Sequence, residues 1–239
     1  MKISVLIPSR GRTSGVYRVV TTLKALESGK NEIVYVVGCD HDDLDTARMA
    51  HIVGATPFIM ERKPSLGAMV NAMAEAHPAD AYCSLADDVE MKSRWWDEYV
   101  RDACEQMPGG VFWWQSQNGA AYAIVSEAWR KAAGYIFTGY FPYWFDDCWL
   151  IQLWMYASGQ YLVKLEAHVH DHATKTHRMG DYDKWHDFYW SRDAERVEEG
   201  ARIAKALGWP VLDDPQSMRL EEGNRITPEQ EKAWTAGNA

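Results

Sequence analysis

The chain has 239 residues, of which 47% are hydrophobic and 25% are charged, and its formal net charge is −9. This is the composition of a globular protein, which excludes the disordered and low-complexity classes, and the length suits one large domain. The acidic balance also excludes a generally basic surface for nucleic acid. Residues 1–30 nevertheless carry six basic side chains and one acidic side chain. We therefore expect an anionic group to bind near the N-terminus.

The cysteines and the apolar runs indicate the cellular compartment in which the protein functions. Cys39, Cys83, Cys104 and Cys148 are widely spaced and form no C-x-x-C pair, so we expect free thiols in a reducing compartment. No stretch reaches 18 consecutive apolar residues, and the first apolar run is too short for a signal peptide. The sequence therefore predicts no membrane insertion and a cytoplasmic location.

The first 90 residues alternate between short β-branched runs and helical stretches. Predicted strands cover residues 3–7, 32–37, 56–60 and 81–86, and predicted helices cover residues 15–28, 44–53 and 66–76. This alternation predicts right-handed crossovers and a mainly parallel sheet, in which ligands bind beyond the carboxyl ends of the strands. The polar residues at those ends are Ser9, Arg10, Arg12, Asp40, Asp42, Asp43, Asp87 and Asp88.

The second half of the chain is rich in aromatic residues. Residues 95–190 hold ten of the twelve Trp, nine of the twelve Tyr and five of the six Phe. Here we predict helices that begin after Ser93 and after Ser126, a helix over residues 146–158, one or two helices over residues 181–207, and strands over residues 110–114, 121–125 and 161–168. A capping box predicts a short last helix from Thr227. We expect more than half of the large aromatics to be ordinary core.

Two acids and two arginines follow the predicted strands. Asp87 and Asp88 repel each other, and a divalent cation relieves that repulsion, although a turn or cap before Ser93 is the alternative. Arg10 and Arg12 lie at a strand-to-helix turn, where they can hold a phosphate. Neither a dinucleotide-binding fingerprint nor a Walker loop is present.

Three histidines and two further acids are the remaining candidates for chemistry. His168, His170 and His172 alternate, which places them on one face of a strand, where they either ligate a metal or form a polar strand edge. Asp146 and Asp147 begin a predicted helix inside an aromatic stretch. They either cap that helix or provide a general base whose pKa is raised by apolar surroundings.

In this order the motifs resemble the GT-A glycosyltransferases, and family 2 in particular, over roughly residues 1–175. The resemblance rests on the residues ISVLIPSR at 3–10, Asp40, LADD at 85–88, YWFDD at 143–147 and a late histidine. It implies an α/β GT-A fold, a Rossmann-like and mainly parallel central sheet flanked by helices, with a small C-terminal helical extension. The implied units are a catalytic domain at 1–190, divided into a nucleotide-sugar half at 1–92 and an acceptor half at 93–190, and an extension at 191–239.

The resemblance also implies an activity. It is that of a metal-dependent, inverting glycosyltransferase with a nucleotide-sugar donor, a UDP-sugar being favoured, and Mn²⁺ or Mg²⁺ as cofactor. The acceptor hydroxyl would belong to a saccharide or to a modified base in DNA, as in compact phage-type enzymes. The implied donor contacts are Pro8, Ser9, Arg10, Arg12, Asp40 and Asp87, and the implied metal ligands are Asp88, His170 and His172. The implied catalytic residues are Asp147, as the base, and Asp146, and the implied acceptor contacts are Trp113, Trp114, Tyr143 and Trp144.

The sequence departs from the family pattern at Ala86, where an acid is usual, and at Asp146, where Glu is usual. Three other functions are consistent with parts of the chain. A nucleotidyltransferase would use the two early arginines on a triphosphate, although the usual Gly-rich loop and lysine are missing. A zinc hydrolase would use the three alternating histidines. A carbohydrate-binding module would use the aromatic stretch without catalysis.

Overall fold

The computed structural model describes residues 1–63, 65–117, 121–142, 145–172 and 181–219. Within these ranges the strands are β1 (Lys2–Ser9), β2 (Glu32–Asp40), β3 (Thr56–Met60), β4 (Ala81–Ser84), β5 (Val89–Met91), β6 (Val111–Gln115), β7 (Ala123–Ser126) and β8 (Lys164–Asp171). The helices are α1 (Thr13–Leu26), α2 (Leu44–Ile52), α3 (Leu66–Ala76), α4 (Trp96–Gln106), α5 (Glu127–Ala133), α6 (Asp146–Ser158), α7 (Tyr182–Ser191) and α8 (Asp193–Ala206), and a 3₁₀ turn covers Pro215–Met218. None of these described helices has the length and apolar character that a membrane span requires.

The strands form one sheet in the order β3-β2-β1-β4-β7-β6-β8-β5. The first four strands along the chain are parallel neighbours, as the strand–helix alternation predicts. β7 is antiparallel to both β4 and β6, and β5 is antiparallel to β8. The sheet is therefore mixed, with four parallel pairings, β6–β8 among them, and three antiparallel pairings. The short connection between β6 and β7 accounts for this, because only antiparallel neighbours can be joined without a long crossover.

Two hydrophobic cores cover the two faces of the sheet. Alternate residues of β1 enter different cores, so that Ile3 and Val5 lie in one cluster with Val19 of α1. Leu6 lies in the second cluster with Met73 of α3. All five side chains have no exposed surface. This burial on both faces explains why β1 is a continuous apolar run. All four cysteines are free thiols, as predicted.

The region between β4 and α4 differs from the prediction. The chain forms an additional three-residue strand, β5, which pairs with β8. The helix that was expected to follow a Ser93 cap begins at Trp96, and its N-cap is Trp95 in the left-handed region at φ 57°. The Ser93 hydroxyl instead accepts a 2.8 Å hydrogen bond from the His168 amide. Ser93 therefore fastens the end of β5 to β8.

Where one or two helices were predicted over residues 181–207, the structure has two, which meet at Arg192. Arg196 of α8 is wholly buried. Its Cζ lies 3.9 Å from the ring centroid of Tyr189 and 4.9 Å from that of Trp149. Asp193 lies 3.1 Å from its guanidinium and neutralises the charge. This network packs α8 against α6. The helix predicted from Thr227 lies outside the described residues.

Candidate active site

The carboxyl ends of β1 and β4 bring together a serine and an aspartate that are 78 residues apart in the chain. Because β1 and β4 are parallel neighbours, their ends lie at the same edge of the sheet. Ser9 Oγ donates a 2.6 Å hydrogen bond to Asp87 Oδ2, and both residues are buried. The Leu85 amide donates a 3.1 Å hydrogen bond to the Leu6 carbonyl, which continues the pairing past the end of β4.

Arg12 lies against both carboxylates of the acidic pair. Its Nη1 is 2.8 Å from Asp87 Oδ1 and 3.6 Å from Asp88 Oδ2. Burial raises the pKa of Asp87, while the Ser9 hydroxyl and the Arg12 charge oppose that shift. The approach of α1 to this pair requires a glycine, because a Cβ at Gly15 would lie 2.3 Å from the Asp87 carbonyl oxygen. The sequence marks Gly15 only as a small residue at a strand-to-helix turn.

The loops after β1 and β2 are joined by charged contacts. Arg10 donates two hydrogen bonds to the Asp42 carboxylate, at 2.8 and 2.9 Å, and a further one to Asp40. The Gly11 amide donates a 2.6 Å hydrogen bond to Asp43 Oδ2. The hydrogen bonds from Arg10 lower the pKa of Asp42. Both early arginines therefore contact carboxylates in this structure.

Asp40 combines deep burial with an unsatisfied oxygen. Its side chain is at the end of β2 and the residue is 4% exposed. Oδ2 accepts the hydrogen bond from Arg10, whereas Oδ1 has no hydrogen-bond partner among the described residues. Buried acceptors are normally satisfied, so this oxygen is available to a ligand's donor group. The nucleotide contacts expected from the sequence stay predictions for Pro8, Ser9, Arg10, Arg12, Asp40 and Asp87.

The end of β8 lies beside the acidic pair. The His172 amide donates a 2.8 Å hydrogen bond to the Asp88 carbonyl, which extends the β5–β8 ladder by one step. The imidazoles of His170 and His172 are 4.8 Å apart between ring centroids. His172 Nε2 is 2.9 Å from a Glu90 carboxylate oxygen. The structure thus brings Asp88 next to the late histidines, through a strand that the sequence did not reveal.

The metal predictions have different outcomes for zinc and for a substrate-bound cation. No group of three or more His, Cys, Asp or Glu side chains is arranged to hold a metal ion in the part of the chain that the structure describes. A zinc site of His168, His170 and His172 is therefore not formed. A cation held by one or two carboxylates and by substrate phosphates needs no such cage. Metal binding by Asp88, His170 and His172 stays a prediction.

Asp146 and Asp147 begin α6, after Phe145 in the left-handed region at φ 73°. Asp146 Oδ1 accepts hydrogen bonds from the Thr138 hydroxyl at 2.7 Å and from the Gly139 amide at 3.2 Å. Burial raises the pKa of Asp146 to about 6. These contacts assign Asp146 to holding the preceding loop, while its catalytic role stays a prediction.

The carboxylate of Asp147 has fewer protein contacts. Its Oδ1 accepts a 2.8 Å hydrogen bond from the Cys148 amide, and burial raises its pKa. Its own position in the first turn of α6 favours the charged form. A carboxylate of raised pKa at a helix start has the properties of a general base, which stays a prediction for Asp147.

The segment before α6 is also fastened to α3 by Asn71. Its Oδ1 accepts hydrogen bonds from the amides of Ile136 and Phe137, at 2.9 and 3.2 Å. Its Nδ2 donates a 2.6 Å hydrogen bond to the Phe137 carbonyl. Asn71 and Asp146 therefore fix consecutive parts of the same loop. No sequence motif indicates these contacts, because they join residues 65 or 66 positions apart.

The structure corrects two of the four predicted acceptor contacts. Trp113 and Trp114 have no exposed surface. Trp113 lies in one core and stacks edge-on against Trp154, whereas Trp114 lies in the other core against Trp96. Successive residues of β6 point to opposite faces, and both faces are covered, so neither indole reaches an acceptor. Tyr143 and Trp144 lie outside the described residues.

Solved structures share this arrangement of strands and helices. TarS 1–349 from S. aureus, in complex with UDP, has a TM-score of 0.61 at 13% identity, over 98% of this chain and 78% of that one. Glucosyl-3-phosphoglycerate synthase from Mycobacterium tuberculosis, in complex with Mg²⁺ and UDP, has a TM-score of 0.56 at 15% identity, over 87% and 80%. Its structure with Mn²⁺, UDP-glucose and phosphoglyceric acid gives the same TM-score of 0.56, with 15% identity and the same 87% and 80% coverage.

No family model and no curated protein sequence matches the chain. At 13% to 15% identity, the solved structures establish the architecture and leave the chemistry to be argued from the site. Their TM-scores, together with the mixed eight-stranded sheet and its flanking helices, show that the chain has the GT-A fold of glycosyltransferases.

Proposed function

We propose that the protein is a metal-dependent, inverting glycosyltransferase that moves a sugar from a UDP-sugar donor to an acceptor hydroxyl. The observation that carries this proposal is the cluster at the carboxyl edge of the sheet, where Ser9, Asp87 and Arg12 meet beside Asp40. In open α/β sheets that edge is where ligands bind. Three of the solved structures that share the fold are complexes with UDP or UDP-glucose, which supports a donor of that class.

The donor's base is assigned to the end of β2. The unpartnered Oδ1 of Asp40 is a charged acceptor that suits a nucleobase N–H. Arg10 holds the other oxygen of this carboxylate and so fixes its orientation. Pro8 lies opposite Gly38 in the β1–β2 register, near the ends of both strands, and we assign it to the nucleotide as well. Asp87 is fixed by Ser9 and Arg12, and we assign it to the donor's ribose or sugar.

A divalent cation fits the residues at the end of β4. The Asp88 side chain is 20% exposed, and its backbone carbonyl accepts the hydrogen bond from the His172 amide. We assign the cation to the Asp88 carboxylate and to the imidazoles of His170 and His172. This donor set suits Mg²⁺ or Mn²⁺ completed by phosphate oxygens. When bound, such a cation neutralises the charge on the departing nucleoside diphosphate.

We assign to Asp147 the role of the base that removes the proton from the acceptor hydroxyl. Burial raises its pKa toward the range in which a carboxylate accepts a proton efficiently at neutral pH. Attack by an acceptor hydroxyl on the face of the sugar opposite the diphosphate inverts the anomeric centre. We assign Asp146 a positioning role, because its hydrogen bonds hold the loop before α6. We also propose the division into a donor half at 1–92, an acceptor half at 93–190 and an extension at 191–239.

Isothermal titration with UDP tests the donor site directly. We expect binding in the presence of Mn²⁺ and at least about tenfold weaker binding with EDTA, because Asp88 would hold a cation that would neutralise charge on the diphosphate. Asp88→Ala should abolish the difference between the two conditions. Asp45→Ala, an exposed acid on α2, is the matched control and should leave both titrations unchanged.

Turnover separates the proposed reaction from its nearest alternative. We expect slow hydrolysis of the UDP-sugar that binds, with release of UDP, when no acceptor is present. Release of pyrophosphate from UTP and a sugar 1-phosphate would instead identify a nucleotidyltransferase. Failure of UDP to bind with Mn²⁺, Mg²⁺ or EDTA would refute the proposed donor class.

A further inference from the structure

A polar cleft opens beside the proposed donor site, on the β5–β8–β6 side of the sheet. Its volume is about 390 Å³, which lies within the range of small-ligand sites. Its polar lining consists of Lys92, Gln115, Ser116, Gln117, His168 and His170. Trp113 and Trp114, the predicted acceptor residues that the structure describes, do not line it.

The alternation of β8 produces this cleft. Leu165, Ala167 and Val169 of β8 enter the core, whereas the residues between them, such as His168, are turned to the other face. Gln115, at the end of β6, lies opposite His168 in the register of the two strands. Gln115, His168 and His170 lie in strands, which hold their side chains more precisely than loops do, and Lys92, Ser116 and Gln117 follow the ends of β5 and β6.

Hydrogen bonds fix the rim. Gln117 Nε2 lies 3.0 Å from His170 Nδ1, and the Ser116 hydroxyl donates a 2.9 Å hydrogen bond to Asp171. The Lys92 amide donates a 3.0 Å hydrogen bond to the His168 carbonyl. These contacts hold the backbone of the rim in place. The polar atoms of the amide and imidazole groups that take no part in them therefore have fixed positions.

The chemistry of the lining favours a ligand rich in hydroxyl groups. Amide side chains both donate and accept hydrogen bonds, and imidazoles do so at their two nitrogens, which matches the paired donor and acceptor character of a hydroxyl. The described residues of the lining include no carboxylate, and their lysine is 2.6 Å from Glu90, which neutralises it. Among these described residues there is also no Trp, Tyr or Phe on which a base would stack, and Lys92 is their one lysine or arginine, whereas a nucleic-acid backbone requires several cations.

The cleft is close enough to the acidic pair to serve the same reaction. His170 lies opposite Glu90, and Glu90 is two residues from Asp88. Two residues of strand span about 7 Å, roughly the length of one sugar ring. A ligand in the cleft therefore reaches the end of β4, where the donor sugar is assigned.

We propose that this cleft binds the acceptor, and that the acceptor is a saccharide or polyol chain rather than a base in DNA. The assignment of the bound molecule as acceptor rests on the proposed glycosyltransferase function. Gln115, Gln117 and His168 recognise its hydroxyl groups, and the end of the chain nearest Asp88 presents the hydroxyl that receives the sugar.

Side-chain amide resonances of ¹⁵N-labelled full-length protein provide the test. The probes are methyl α-glucoside, methyl α-galactoside, methyl α-mannoside, ribitol and a short single-stranded oligothymidine, each titrated without nucleotide. We expect at least one glycoside or the polyol to shift the amide resonances of Gln115 and Gln117. Gln117→Ala should weaken that binding about fivefold, as loss of one hydrogen bond does. Lys164→Ala, which lies on β8 as His168 does but outside the cleft, should leave the binding of that glycoside or polyol unchanged.

Each alternative result is decisive. If no glycoside or polyol shifts these resonances, or if the oligothymidine alone does, the inference is wrong, whatever the UDP titration shows. If saccharide binds here but UDP binds nowhere, the cleft is a carbohydrate site without transfer, and both the acceptor role and the proposed function fail. Gln115→Ala replaces Gln117→Ala if the latter does not fold, and the mapping on the unchanged protein needs neither variant.

Discussion

The donor edge of the sheet and the aromatic half of the chain use their characteristic residues in opposite ways. At the donor edge, formed by the ends of β1, β2 and β4, charged side chains converge and neutralise one another, as Arg12 and Asp87 do. In the aromatic half, large rings such as Trp113 and Trp114 are buried, and polar residues such as Gln115 and Gln117 line the open surface. Charged residues therefore belong to the proposed donor site in the first region, whereas aromatic residues, which are also associated with ligand binding, serve packing in the second.

The difference follows from where the backbone places each residue. A carboxylate at the end of a parallel strand lies beyond the hydrogen-bonded ladder, where a ligand can approach. An indole within a strand that is covered on both faces is enclosed whichever way it points. Trp113 and Trp114 are adjacent in β6 and enter different cores for this reason. Position in the sheet therefore outweighs residue type.

The largest effect is expected at Asp147. Asp147→Asn removes the proposed base while keeping the size of the side chain, so kcat should fall by about 10²- to 10⁴-fold. The affinity for UDP should change by less than about twofold, because the variant leaves the ends of β1, β2 and β4 intact. Steady-state kinetics and UDP titration measure the two quantities. A variant that retains kcat would remove Asp147 from the reaction.

Truncation of a core indole tests the aromatic half. Trp113→Ala should lower the free energy of unfolding by about 3–5 kcal/mol, because it opens a cavity where two tryptophans now pack. Trp95→Ala is the matched control, since Trp95 is 59% exposed and should cost less than about 1 kcal/mol. Urea unfolding measures both. A Trp113 variant of unchanged stability but weakened acceptor binding would restore its predicted role as an acceptor contact.

The raised pKa of Asp146 predicts a pH dependence of stability. Burial moves this pKa from 3.8 to about 6, so the folded protein retains the proton to higher pH than the unfolded chain does. Stability relative to Asp146→Asn should therefore fall as pH rises from about 4 to about 6, by up to roughly 3 kcal/mol. Urea unfolding of both proteins at either end of this range measures the change. Parallel pH profiles would show that Asp146 is not buried as described.

The smallest effect is expected at the end of β2. Asp40→Asn should weaken UDP binding about tenfold, since a charged acceptor for the base is replaced by a neutral one. Asp42→Asn is the control, because it loses the paired contacts with Arg10 but keeps the unpartnered oxygen of Asp40. It should change UDP affinity by no more than about twofold. Equal losses in both variants would mean that loop order, rather than the Asp40 oxygen, determines binding.

Much of the first half could be predicted because its signals are local. The run at Ile3–Ile7 predicted β1, and the helix limits of α3 and α6 were predicted to the residue. The short strand β5 could not be predicted, since three residues carry no clear periodicity. Without β5, nothing in the sequence could show that the Asp88 carbonyl accepts a hydrogen bond from His172.

The sequence by itself determined the succession of strands and helices and the residue types at the strand ends, because periodicity and turn chemistry act over a few neighbouring positions. Only the tertiary structure decided which of those residues meet. Ser9 contacts Asp87, and Asn71 holds residues 136–137, across 65 to 78 positions of sequence. Strand order and sheet coverage decide such contacts and the burial of Trp113 and Trp114, and both are properties of the whole packed chain.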